Sequence, residues 1–446
     1  MGFGFYVTGN LRLDVRQIES FGDLYDVCQN AETVSGQHWF PSSGRKPWLQ
    51  GSRGQQQHPY HFSSRSFQTF YTSELGHIRA LPRFDSFNRL LRGLQNYRIL
   101  DFQSRPQTFF VPHHSNAHYV FIVLRGKALF TFVTANSRES YNLERADVLV
   151  VPAGSTVYAA NRDNRRNLRV VQLAIPVNNP EQFQAPYQEI QRDLLGQQGQ
   201  QQQGQGLIVK ASRDQIRQLA QQARSSQGQS QFTPFNLEKY ETPISNDYGK
   251  MWEARPYQLP QLQYVDVSLA KVELRPGAMI LPHYNTVKTP ILYIVQGNAT
   301  IETASPHLSR QKSHGGSGCG CQEEQEQEEQ QWRVGQIQSL TAQVNEGDVY
   351  VIPPGHPTAI RASNNGNLHF VSFGINDENN KMTLLAGEND NAINQIDSVA
   401  KELTFSGSAE QVERILKNQR QSYIVNGQPQ KKQGQGSEGG LRAPLS

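Results

Sequence analysis

"VPHHSNAHYVFIVLRGKALFTFV", residues 111–133, and "LPHYNTVKTPILYIVQGNATIETA", residues 281–304, follow one plan. Each opens on a proline–histidine pair, runs through an apolar stretch to a glycine (Gly126, Gly297), and resumes as a second strand-like run. Further along, "DVLVVPAG" (147–154) is matched by "DVYVIPPG" (348–355). A helix-like stretch closes each half: "SRDQIRQLAQQA" (212–223) and "SAEQVERILKNQ" (408–419). Repetition at this spacing is duplication of a whole domain rather than a solenoid repeat. Short apolar runs punctuated by Gly and Pro predict a mainly β chain: two tandem β-barrels, each followed by a short helical segment. The repeat divides the chain into an N-terminal extension (1–58), two barrel domains (59–230 and 231–426) and a polar tail (427–446).

Both helices begin with a capping box, Ser212 with Gln215 and Ser408 with Gln411. Their apolar residues (Ile216, Leu219 and Ala220; Val412, Ile415 and Leu416) fall on one stripe. Such a stripe is buried either on its own barrel or on a neighbouring subunit.

The formal net charge is +4 over 446 residues, which provides no general field for nucleic acid or an anionic membrane. No apolar run approaches the roughly 20 residues that span a bilayer. The opening "MGFGFYVTGNLRLDVRQ" carries neither the basic segment nor the apolar core of a secretory signal, so compartment is not read from it. Three cysteines (Cys28, Cys319, Cys321) build no disulfide framework. Two stretches, "GQQGQQQQGQG" (196–206) and "SHGGSGCGCQEEQEQEEQQ" (313–331), lack apolar residues and are expected to be disordered loops.

The glycine-bounded pair resembles the two motifs of the cupin barrel. Together with "PYHFSSRSF", "FTPFNLEKYETPISNDYGKMWEA" and "MTLLAGENDNAINQI", it makes residues 59–425 similar to a seed storage vicilin, a 7S globulin of the bicupin class. The resemblance implies a homotrimeric nutrient reservoir in the protein storage vacuole of the seed, with no cofactor required, and members that are common food allergens. Glutamine-rich loops suit that role: amide and guanidinium side chains carry extra nitrogen, and surface insertions cost little folding energy and admit proteases.

A metal-holding cupin places two histidines one residue apart on a strand, facing inward, with a glutamate and a third histidine completing the set. Aligned on Gly126, the slots of the first barrel hold His113, Ser115, Tyr119 and Val157; His114 points the other way. Aligned on Gly297, the second holds His283, Asn285, Pro290 and Thr358. His356, two residues before Thr358, would share its face if it lay on the strand. His283 and His356 are therefore the candidate metal ligands, for copper or zinc. Copper-binding vicilins, by resemblance, add a cysteine and a tyrosine; here Leu281 fills the cysteine slot, leaving Cys319, Cys321 or Tyr60 as substitutes. Lys288 stands nearby with no carboxylate of its own run facing the same way.

No nucleophile elbow, P-loop or dinucleotide fingerprint is present, so the chain reads as a non-enzyme. The alternatives are a redox metalloenzyme of the superoxide dismutase or oxalate oxidase kind, and a bicupin holding a sugar or other small molecule in its barrels. "NAT" at Asn298 satisfies the rule for N-glycosylation, although its place one residue past the barrel turn argues against access.

Overall fold

The computed structural model describes residues 58–87, 89–133, 138–177, 188–189, 206–222, 232–240, 243–305, 338–387, 391–404, 408–417 and 423–427. The two low-complexity stretches up to Gln205 and across 313–331, and all three cysteines, lie outside them.

Each half folds as two facing antiparallel sheets, one of seven strands and one of six. In the first barrel the central strand of the larger sheet is Leu168–Pro176, flanked by Ala117–Arg125 and Arg98–Ser104. In the second it is Leu368–Ile375, flanked by Thr289–Gln296 and Val267–Leu274. The smaller sheets are built around Thr156–Asn161 and Thr358–Ala362. The tandem-barrel architecture expected from the repeat is present.

The apolar runs are continuous rather than alternating because both faces of the larger sheets are buried. Tyr119, Phe121 and Val123 turn into the first barrel. Val120 and Ile122, on the opposite face, join one apolar core with Ile291, Tyr293, Val371 and Phe373 of the second barrel. The two larger sheets thus pack back to back through strands hydrophobic on both sides. Fully burying each such side chain stabilises the fold by about 1.5–3 kcal/mol.

The glycines ending the runs have a steric reason. Gly126 and Gly297 sit at φ +90° and +84°, and a Cβ at Gly297 would lie 2.1 Å from the carbonyl oxygen of Asn367.

Two short pairings join the halves reciprocally. His61–Phe62, preceding the first barrel, pairs with Val349–Val351 of the second. Phe235–Asn236, preceding the second barrel, pairs with Asp147–Val151 of the first. The aspartate opening each host strand holds the visitor. Asp348 accepts from the Ser64 amide (2.7 Å) and from His61 Nε2 (2.9 Å), and Asp147 accepts from Asn236 Nδ2 (2.7 Å).

Both capping boxes form. Ser212 and Gln215 exchange hydrogen bonds at 2.8 and 3.2 Å, and Ser408 and Gln411 exchange theirs at 3.3 Å each. Among the described residues, the stripes turn inward on their own chain. Ile216 and Val412 are buried, and Leu219 packs on Leu129 and Ala160 of its own barrel. The side chains of Ile415 and Leu416 fall outside the description. The exposed apolar pair lies instead on the preceding helix Ser398–Thr404, where Val399 is 67% and Leu403 85% exposed.

Candidate functional site

The two barrel interiors share one frame. His113 pairs in register with Val157, and His283 with Thr358, so the first and last ligand slots of each motif face each other across neighbouring strands. A further match ties the loops: the Gly154 amide donates to the Ser115 carbonyl and the Gly355 amide to the Asn285 carbonyl, both at 2.8 Å. Slot-by-slot comparison of the barrels is therefore geometric.

In the first barrel the remaining slot residues satisfy one another. His113 Nδ1 lies 2.8 Å from the Val111 carbonyl, which only accepts, so Nδ1 carries the proton. Its ring lies 4.1 Å, centroid to centroid, from Phe110, and burial pulls its pKa down to about 4. The imidazole is neutral at pH 7. Ser115 Oγ and Tyr119 OH lie 3.1 Å apart. Around them opens a cavity. Its wall is mainly aromatic and aliphatic, with Phe102, Phe121, Phe130, Val151 and Leu168 among its residues, and Gln172 and Ser155 add polar groups. No side chain lining it carries a fixed charge.

In the second barrel the interior is mainly aliphatic, with Ile280, Leu292, Ile294 and Ile301 in its core, and three positions carry linked hydroxyls. Thr303 Oγ1 lies 2.9 Å from Tyr350 OH and 3.0 Å from Thr358 Oγ1, and Thr358 donates to the His356 carbonyl at 3.2 Å. Counting from the shared glycines, these three positions are Phe132, Leu149 and Val157 in the first barrel. His283 Nδ1 donates to the Leu281 carbonyl at 2.8 Å, and burial holds its pKa below the usual histidine range. Asn285 Oδ1 accepts from Asn380 Nδ2 at 3.0 Å.

His356 is not on the strand. Pro353, Pro354 and Gly355 form the turn before Thr358–Ala362, and His356 lies at its end, so the two-residue facing rule does not apply to it. Its ring stands edge-on to Tyr60 at 5.9 Å, with Nδ1 2.9 Å from the Pro354 carbonyl. Tyr60 OH in turn lies 3.1 Å from Ser305 Oγ, and burial raises its pKa.

This donor set does not fit a resident copper or zinc ion. The phenol is held protonated, and Leu281, fully buried, occupies the slot where a thiolate would stand. Among the described residues no three His, Cys, Asp or Glu side chains converge. Cys319 and Cys321 lie outside the described residues.

Sequence reading missed the charge at the mouth of the second barrel. Lys288, 7% exposed, reaches Glu253 Oε1 at 2.8 Å and Asp377 Oδ1 at 3.3 Å; Arg255 closes on Glu253 at 2.7 Å. Carboxylates do face Lys288, but they come from other elements. Burial opposes ionisation of Glu253, yet Lys288 and Arg255 outweigh it and hold its pKa low. Asp377 is pushed upward by burial, with Lys288 opposing. Gly374 makes the room: a Cβ there would sit 2.4 Å from Lys288 Cδ. In the first barrel the positions of Lys288 and Glu253 are Ala117 and Ala80.

Two sheets per half, the tandem order and the paired slot registers are those of a bicupin. The sequence model of the cupin family matches residues 96–197 and 235–411. Conglutin beta 1 of Lupinus albus is 41% identical over 432 residues, covering 87% of this chain and 78% of the relative. Vicilin of Pisum sativum is 39% identical over 425 residues, covering 86% and 91%. A crystal structure of the Solanum melongena vicilin, described as holding different anionic ligands in structurally similar pockets, superposes with a TM-score of 0.71 at 30% identity, covering 84% of this chain and 99% of that one. The chain belongs to the cupin family, and within it to the vicilins. It is a seed storage 7S globulin.

Proposed function

We propose that this chain serves as a homotrimeric, non-catalytic nutrient reservoir deposited in the protein storage vacuole of the seed. The observation that carries the reading is the state of the ligand slots. Six of eight have lost their metal-binding residue types or offer only a lone histidine's neighbours: Ser115, Tyr119 and Val157; Asn285, Pro290 and Thr358. Redox or hydrolytic chemistry requires stable coordination with an open position and a placed acid or base. His113 and His283, one in each barrel, are the two slots that keep a metal-binding residue type, and His356 stands off the strand, two residues before the Thr358 slot.

Support for self-association comes from the apolar surface that remains. Val399 and Leu403 stand exposed on one helix of the second half, and a heterologous contact onto the next chain's first half closes a ring when the rotation permits. Light scattering with metal analysis of the seed protein tests both parts. The expected result is a three-chain mass with less than one metal per chain. A monomer at micromolar concentration overturns the assembly. Stoichiometric copper that supports turnover and vanishes in the His283→Ala, His356→Ala double variant overturns the inert-barrel reading.

The cavity of the first barrel favours a second role, as a holder of small molecules. Its wall carries no cation to balance an anion of the kind described for the Solanum melongena vicilin, so an uncharged, ring-sized molecule suits it better. Calorimetry with neutral phenols, sugars and small aromatic acids at millimolar concentration ranks these classes; heat from the acids alone counts against an uncharged occupant.

A further inference from the structure

One side of the first-barrel cavity is closed by the loop between the strands Asp147–Val151 and Thr156–Asn161, whose Pro152 and Ser155 belong to its wall. The loop is tied across to the neighbouring chain segment by its amides. The Gly154 amide donates to the Ser115 carbonyl at 2.8 Å, and the Ala153 amide donates to His118 Nδ1 at 3.0 Å. The Gly154 bond recurs in the second barrel, between Gly355 and Asn285. The histidine bond has no counterpart there. Pro354 stands at the position of Ala153 and carries no amide hydrogen, and Thr289 stands at the position of His118.

His118 sits behind the cavity wall rather than in it. Ala117 and Tyr119 on either side line the cavity, so strand alternation sends His118 to the opposite face. There its ring stands edge-on to Tyr264 of the helix Pro260–Val265, centroids 5.2 Å apart, and Tyr264 stands in turn against Phe232 at 5.5 Å. Ile175 is its ladder partner. Tyr264 is the titratable side chain among these neighbours. Burial alone holds the pKa of His118 below the usual histidine range.

An Nδ1 that accepts from an amide leaves the proton of a neutral ring on Nε2. A second proton therefore goes to Nδ1, and an imidazolium has two donors and no acceptor. Protonation sets one N–H against another and removes the tie of the loop at Ala153. We propose that His118 is an acid-released latch on the first-barrel cavity: a proton on Nδ1 frees the loop Pro152–Ser155, and the cavity gives up its occupant. The proposal rests on the small-molecule reading for the occupant and on the loop geometry for the release.

Calorimetric titration of the full chain with phenol, which stays neutral throughout, tests the release at about pH 7.5 and about pH 5, on either side of ordinary histidine titration. His113, with a pKa of about 4, keeps its neutral ring over most of this range. The expected result is binding roughly fivefold or more weaker at the lower pH, the low end of ordinary coupling between two sites. His118→Asn, whose Oδ1 is an acceptor that does not titrate, and Ala153→Pro, which copies the second barrel, should bind without that pH dependence. Equal affinity of the parent at both pH values overturns the latch, and so does the same loss in the parent and in His118→Asn. Hydrogen exchange of the peptide spanning residues 150–156, corrected for the intrinsic rate at each pH, needs no occupant. Extra exchange at the lower pH in the parent, absent from His118→Asn, supports the latch; identical protection overturns it. No heat from phenol at about pH 7.5 overturns the small-molecule reading, and exchange of the loop then decides the latch.

Discussion

The two barrels are built on one frame and filled differently at a handful of positions. At the positions of Phe132, Leu149 and Val157 the second barrel has Thr303, Tyr350 and Thr358, linked by hydrogen bonds. At the positions of Ala117 and Ala80 it has Lys288 and Glu253, joined by Asp377 from a third element. A jelly roll that has given up its metal still has an interior to occupy. The first barrel occupies it with hydrocarbon and empty space, the second with aliphatic side chains and a set of linked polar groups. Low local dielectric makes the second solution depend on every partner being present.

That dependence supplies the sharpest way to break the comparison. Lys288→Ala leaves Asp377 buried without its cation and Glu253 with Arg255 alone, and we expect a loss of about 3–5 kcal/mol in the denaturation of the second barrel. The triple variant Glu253→Ala, Lys288→Ala, Asp377→Ala, which copies the alanine character of the first barrel, should recover most of it. If Lys288→Ala costs no more than an exposed ion pair, about 0–1 kcal/mol, the cluster does not act as a unit.

Acid should act on the first barrel through His113 next. The folded pKa of His113 is about 4, below the usual value of 6.5. As pH falls, the unfolded chain takes up this proton first, so stability declines from about pH 6.5 down to about pH 4, by roughly 3 kcal/mol in all. His113→Phe should flatten that part of a stability-against-pH curve relative to the parent protein. Curves of equal slope would mean that the imidazole is not held neutral.

The smallest expected effect concerns the hydroxyl chain. Thr303→Val keeps the volume but removes the group joining Tyr350 to Thr358, and should cost about 1–3 kcal/mol. Thr131→Val in the first barrel, where the hydroxyl lies 2.9 Å from Ser140 Oγ, should cost less. Thermal midpoints of the two variants side by side decide the order.

Much of this frame was legible in the residues. The glycine-bounded runs, the D-V-x-V strands and both capping boxes are local patterns, and each formed where expected. The slot alignments on Gly126 and Gly297 identified the residue pairs that the ladders set face to face. Three things were not legible, for different reasons. His356 follows two prolines and a glycine that end the strand, so periodicity counted backwards from Thr358 did not reach it. The Lys288 cluster joins residues 35 and more apart, and pairing over that distance leaves no periodic trace. The cavity comes from the summed volumes of many side chains, including the small Ala117, Ala128 and Ala159, a property of the ensemble rather than of any run.

The reciprocal loan of strands between the halves makes each barrel a creditor of the other. A fragment cut between residues 230 and 231 would lose Phe235–Asn236 from the first sheet and His61–Phe62 from the second, baring a hydrogen-bonding edge on both pieces. By the same interlock, a protease that opens one connecting loop would leave a nicked chain clasped in a single body, so dismantling the reserve needs several cuts before anything falls away.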